Sequence, residues 1–532
     1  MGTLWYGGNI YTLQEEGHQV EAVFTEGQKI IDIGALQALE EKYYERITKR
    51  IDLKEDTMLP GFVDSHLHII GHGEKLIRLD LSSYTTKQAM LSAVRDYANQ
   101  LSEGAWVIGD GWNENLWEQS LPITRDEIDQ YVSNRPVLLK RICHHVCSLN
   151  SKAIEAAGLS DAVQTPAGGE IEKDQNGRLN GLFKEQAMEL AYQALPELTN
   201  EYVESALKKS IQDAYRLGLT GGHTEDLSYY KSFKDTYETF KKVIIEEQYP
   251  FRLHLLVHHE VFEDFKDAGG KFQAGNEWIE FGAMKIFSDG ALGGRTALLS
   301  RPYADDPSTS GVAIFSQEQL NELVKKAREI DMPVAIHAIG DLAFEMSLNA
   351  IETYPYQGKG RDRLIHGQIL RKDLVERVKK LPMIIDIQPM FVLSDFPWVI
   401  DRIGEDYLEY CYAWKTMLKE GIHIAGGSDA PVEPLDPLLG IQAAVTRTKV
   451  EDPMQQYIPS ESLSIYEAVC LFTKGSAYAA GHELERGQIK KGYYGDFTVL
   501  KQDPFSVEKS EIYKIGISKT IIGCQIVYDA RD

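Results

Sequence analysis

Eight short apolar runs punctuate the middle of the chain and read as β-strands. They are "GFVDSHLHI" (61–69), "LTGGHTE" (219–225), "FRLHLLVHH" (251–259), "FGAMKIFSD" (281–289), "MPVAIHAIG" (332–340), "DRLIHGQIL" (362–370), "PMIIDIQPM" (382–390) and "IHIAGGSDA" (422–430). Between most of them the apolar spacing shifts to about 3.6 residues, the period of a helix. "SQEQLNELVKKAREIDM" (316–332) opens on Ser-x-x-Gln, a capping-box pattern, and "RKDLVERVKKL" repeats the helical spacing before the seventh run. Eight parallel strands, each followed by a helix, predict an α/β protein built on a (β/α)₈ barrel.

Outside this region the pattern changes. Residues 1–60 and 482–532 alternate short apolar runs with Gly, Asp and Asn, the pattern of strands and tight turns. Neither end carries enough strands for a sheet of its own, so the two are expected to share one composite β-sandwich, with residues 61–481 as the barrel. About 150 residues separate the first strand from the second, far more than one helix needs. Residues from about 80 to 215 are therefore expected to form an insertion or lid at the top of the barrel.

Composition narrows the function. The net charge of −24 disfavours nucleic acid and anionic lipid as partners. Five scattered cysteines suit a reducing compartment rather than a disulfide framework. No run of about 18 apolar residues is present, and the first residues lack a basic-then-apolar leader pattern. The expectation is a soluble cytoplasmic protein without nucleic-acid or membrane partners. Oligomeric state is open, with a homodimer as the working expectation.

Candidate chemistry lies at the strand ends. On a strand, residues i and i+2 face the same way, so His66 and His68 aim at one spot. Strand four carries Lys285. Strand five ends at His337, strand six at His366 and strand eight at Asp429. In a barrel these ends meet on one face. A lone strand histidine is most often a core residue with a satisfied hydrogen bond. Four histidines and a carboxylate at matching ends instead suit a divalent cation, zinc by default, with one or two ions per chain. Lys285 sits in an apolar stretch, where an unpaired ammonium is costly. It either pairs with a carboxylate, Asp289 having the same strand parity, or combines with CO₂ to give a carbamate that bridges two metals. "CHHVC" (143–147) lacks the second ligand pair of a structural zinc site. His258 and His259 alternate faces, so at most one looks inward.

Further candidates line the expected pocket. His223 ends strand two and is either a pocket or a structural histidine. Asp289 and Arg295 belong to the Gly-rich "SDGALGGRT", which either approaches substrate or braces the barrel. Trp112 and Trp117, within the insertion, are lid aromatics or core packing.

The stretches "LPGFVDSHLHIIGHG", "MKIFSDGALGGRTALL", "PVAIHAIGD", "RLIHGQIL" and "GGSDAPVEPLDPL" together resemble the amidohydrolase superfamily. In particular they resemble its YtcJ-like branch, which includes N-substituted formamide deformylases. The likeness covers residues 1 to about 510 and extends to the tail "ERGQIKKGYYGDFTVLKQDP". It implies a barrel with a composite β-sandwich. It implies His66 and His68 on one metal with Asp429, His337 and His366 on the other, and Lys285 as the carboxylated bridging lysine. His145 matches a position where a histidine from the insertion reaches the site; the family usually has a small residue before it, where this chain has His144. The implied reaction is hydrolysis of an amide- or formamide-type C–N bond, with metal-activated hydroxide as nucleophile and Asp429 as proton shuttle. Two alternatives stand beside it. A mononuclear deaminase of a heterocyclic amine usually has a glutamate just after the strand-five histidine, and "HAIGD" lacks one. A barrel that has lost its chemistry is expected to have lost ligands, yet all six positions are filled.

Overall fold

The computed structural model describes residues 2–531 except 103, 119, 120, 142–145, 167, 168 and 197. It divides into two compact units, Met1–Gly71 with Ser210–Asp532, and His72–Lys209.

The first unit contains an eight-stranded parallel sheet. Its strands are β1 (Phe62–Leu67), β2 (Leu219–Thr224), β3 (Arg252–His258), β4 (Ile279–Phe287), β5 (Val334–Ala338), β6 (Asp362–His366), β7 (Met383–Ile387) and β8 (His423–Gly426). They follow one another in chain order. Every residue of β2, β3, β6 and β7 is buried, including polar ones such as His223, Arg363 and Asp386. Register sets the site. Phe287 lies opposite His337, and Ala338 opposite His366, so neighbouring strands stop at matching levels.

Among the described residues β1 and β8 share no ladder. The seam is closed between the end of β1 and the residues just past β8, where Asp429 N–H donates to His66 O at 2.7 Å and His68 N–H to Ala430 O at 2.8 Å. Asp64 ties the two segments again, accepting from His66 N–H and Ser428 N–H, each at 2.9 Å. Burial pushes the Asp64 carboxyl up to about 7, against the pull of these hydrogen bonds. Gly427 makes the approach possible. A Cβ there would lie 2.5 Å from His66 N, inside any allowed contact.

Helices follow the strands as the 3.6 spacing predicts. One spans Gln317–Glu329, and its capping box is formed by Ser316 and Gln319. Another covers Lys372–Val378. The N-terminal strands and Phe497–Leu500, Ile517–Ile522 and Gln525–Asp529 join in a single eight-stranded sheet, with Thr57–Pro60 pairing antiparallel to Phe497–Leu500. Trp5, Ile10, Val23, Phe497 and Ile521 fill its core.

The second unit has its own six-stranded sheet. Two apolar clusters stabilise it, one around Met90, Val107 and Leu139, the other around Leu138, Phe183 and Ala191.

Candidate metal centre

The C-terminal ends of the barrel strands bring six of the expected side chains together. His66 Nε2 lies 3.3 Å from Asp429 Oδ1 and 3.3 Å from Lys285 Nζ. His68 Nε2 lies 3.4 Å from the same Asp429 oxygen. His366 Nε2 lies 3.0 Å from His337 Nδ1. His66, His366 and Asp429 each offer one ligand atom, all within 4.8 Å of one another.

Orientation of the rings is fixed from behind. Gln388 Oε1 lies 2.6 Å from His366 Nδ1, so that nitrogen carries the proton and Nε2 presents its lone pair. His337 Nε2 donates to Gly290 O at 3.1 Å, leaving Nδ1 bare toward the site. Behind β1, Arg363 donates to Ser65 O at 2.6 Å and Asp386 Oδ2 at 2.7 Å, bracing the residue before His66. Two site residues hold the left-handed backbone region, His366 at φ 78° and Asp429 at φ 58°. Such conformations cost free energy and persist where the surrounding fold enforces them.

The electrostatics suit cation ligation. Burial, and then the Lys285 ammonium, push His66 well below its ordinary value. Burial and neighbouring His366 do the same to His337. Burial is also the main reason His366 falls to about 4. These three rings are neutral, the state a metal requires. His68 differs. Burial pulls it down, but Asp429 and Glu225 outweigh that and raise it to about 9. Burial would raise Asp429, but the protonated His68 and the Lys285 ammonium outweigh it and hold the carboxyl below its usual value. The donor set therefore fits a divalent cation: neutral imidazoles and an ionised carboxylate converge, and His68 carries a proton that a cation would displace.

Several expectations are corrected. Lys285 pairs with Glu225 Oε2, at 3.1 Å and with both side chains fully buried, and not with Asp289. Asp289 spends its oxygens on backbone N–H groups of Leu298, Ile339 and Gly340 at 2.8–3.0 Å, so it braces the loop rather than facing substrate. Arg295 forms a two-pronged pair with Asp305, and its charge is taken up there. His223 shares its Nδ1 with Arg363 at 3.2 Å. It lines a cavity with Gly61, Thr220 and Arg252, residues at the N-terminal ends of their strands, so it looks away from the metal ligands. Trp112 is 0% exposed and stacks on Trp117 inside its own unit, a core residue rather than a lid aromatic. Cys143, His144 and His145 lie outside the described residues. Glu225, Gln388 and Arg363 were not expected. Glu225 and Gln388 sit at strand ends, where Glu225 shares the parity of His223 and Gln388 that of Asp386, but one carboxylate or amide at a strand end carries little signal by itself.

The amidohydrolase family matches residues 49–528 of the chain. The chain belongs to the amidohydrolase family. It is 49% identical to YtcJ of Bacillus subtilis (strain 168), covering 99% of this chain and 100% of that protein. It is 24% identical to the N-substituted formamide deformylase of Arthrobacter pascens, covering 98% and 97%. An uncharacterized metal-dependent hydrolase from Pyrococcus horikoshii OT3 superposes with a TM-score of 0.81 at 28% identity, covering 96% of this chain and 99% of that one. This amidohydrolase is accordingly a metal-dependent hydrolase of the carbon–nitrogen type. Among the described residues, no helix is long and apolar enough to cross a membrane.

Proposed function

We propose that this amidohydrolase cleaves an amide- or formamide-type C–N bond of a small molecule, using one or two divalent cations, zinc first among the candidates. The observation that carries the reading is the convergence of His66, His366 and Asp429 ligand atoms within 4.8 Å. Its likeness to an N-substituted formamide deformylase supports the substrate class. The ligands in this reading are His66 and His68 with Asp429, and His337 with His366. Lys285 would join the ligands as a carbamate once its ammonium has lost one proton and its amine has added to CO₂ with loss of a second, a step that ends its ion pair with Glu225.

When bound, the cation acidifies a water and polarises the carbonyl oxygen. The side chains do the rest. His366 and His337 hold bare nitrogens toward the centre. Asp429 accepts the proton of the attacking water and returns it to the leaving amine, which cannot depart as an anion. Its carboxylate is suited to this because it is ionised, buried and held by the strand seam rather than by a free rotor. The deaminase alternative lacks the glutamate it usually has after His337, where the chain reads Ala-Ile-Gly-Asp.

The test is metal analysis of the purified protein combined with a panel of N-formyl, N-acyl and cyclic amides and amino-heterocycles. Turnover of an N-formyl or N-acyl amine that stops on chelation supports the proposal. Turnover confined to amino-heterocycles would refute it.

A further inference from the structure

We infer that Glu225 is a positioning residue of the metal centre, acting through His68 and Lys285. Glu225 directly follows β2 and has no exposed surface. A buried carboxylate is costly unless it is paired or hydrogen-bonded, so its place needs a reason. Its Oε1 accepts from the Tyr229 hydroxyl at 2.7 Å, which fixes the plane of the carboxylate. The same oxygen lies 3.5 Å from His68 Nδ1. His68 Nε2 in turn faces Asp429 at 3.4 Å, so one ring is held between two carboxylates. A histidine that gives one nitrogen to a cation needs the other nitrogen's proton anchored, and a carboxylate is a common anchor.

The second oxygen completes the argument. Glu225 Oε2 lies 3.1 Å from Lys285 Nζ but off the line of a hydrogen bond, and it has no other hydrogen-bond partner. It is a buried acceptor aimed into the centre. The Lys285 amine it attracts rests 3.3 Å from His66 Nε2. Glu225 thus has two neighbours: it faces His68 on the side opposite Asp429, and, while Lys285 is uncarboxylated, it keeps that amine inside the cavity beside His66. Asp289, the carboxylate nearest Lys285 along the chain, is committed to backbone amides and cannot do this.

The inference rests on the metal-centre reading above, but its readout is cation binding. Failure to find a hydrolysed substrate would count against the proposed activity and leave Glu225 untouched. The experiment loads the full chain with cobalt(II) and competes it with a chelator, following the visible ligand-field spectrum. Glu225→Gln keeps the shape and removes the charge. It is expected to weaken cobalt binding about tenfold or more and to change the spectrum. Glu225→Asp should recover part of the affinity, and Tyr229→Phe should fall between parent and Glu225→Gln. Parental affinity within about twofold and an unchanged spectrum in folded Glu225→Gln would overturn the inference. Should Glu225→Gln not fold, because it strands the Lys285 charge, Lys285→Met is compared with the double variant carrying both changes. A further loss of about tenfold in the double variant supports the role, and equal affinities overturn it.

Discussion

At the scale of single residues, the site works by dividing one family of side chains into different jobs. Burial keeps His66, His337 and His366 neutral, while two flanking carboxylates keep His68 protonated to about 9. A cation entering beside Asp429 must displace that proton. Metal affinity is therefore expected to rise by up to about tenfold per pH unit from neutrality toward pH 9 and then to level off. Calorimetry in buffers of different ionisation enthalpy should show close to one proton released per cation at neutral pH. Asp429 makes a second case. Its φ of 58° is a conformation that Asn also tolerates, so Asp429→Asn should leave the backbone in place. That variant should retain much of its metal and lose turnover by about 10²-fold or more. Turnover at the parental rate would remove Asp429 from the proton path. Gln388 acts one step further back. Gln388→Leu should leave His366 free to turn and weaken metal binding about 10- to 100-fold, measured by chelator competition.

At the scale of elements, β-strands deliver the ligands and a seam holds them. The seam depends on Asp64, on the backbone bonds between 66–68 and 429–430, and on Gly427, which lets the two segments meet. Gly427→Ala forces a Cβ against His66 N, so one segment must move. The expected cost is about 1–3 kcal/mol in denaturant unfolding, together with weaker metal binding, since the same displacement moves His66 and Asp429 apart. The eight strands were legible because each is a short apolar run set between helical spacing and Gly or Pro. Helix boundaries were legible where a cap was written into the chain, as at Ser316 and Gln319. The closing pair β1–β8 was not legible, because it uses a side-chain carboxylate and two backbone bonds to residues past the end of β8 in place of a ladder. The parity rule that aligned His66 with His68 also suggested Asp289 for Lys285. It failed there because the chain leaves the strand after Phe287, so alternation no longer holds at 289.

At the scale of the whole molecule, the two units have separate cores, and only the first contains the metal centre's described residues. Ligand binding stabilises the state that binds, by about 2.7 kcal/mol at a hundredfold excess over Kd. Chelation should accordingly lower hydrogen-exchange protection around residues 62–68 and 423–430 and leave Leu138 and Phe183 unchanged. Equal loss of protection in both units would show that the cation supports more than the barrel ends.

The sequence by itself determined the strand count, the barrel and the set of six converging side chains. Those follow from local periodicity and from the rule that parallel strands end on one face. Only the tertiary structure decided that Glu225 rather than Asp289 meets Lys285, that His223 faces the opposite end of the barrel, and that Trp112 is core. Those outcomes depend on which groups arrive from distant positions to satisfy a buried charge or fill a void, and no periodicity along the chain encodes the identity of a partner across space.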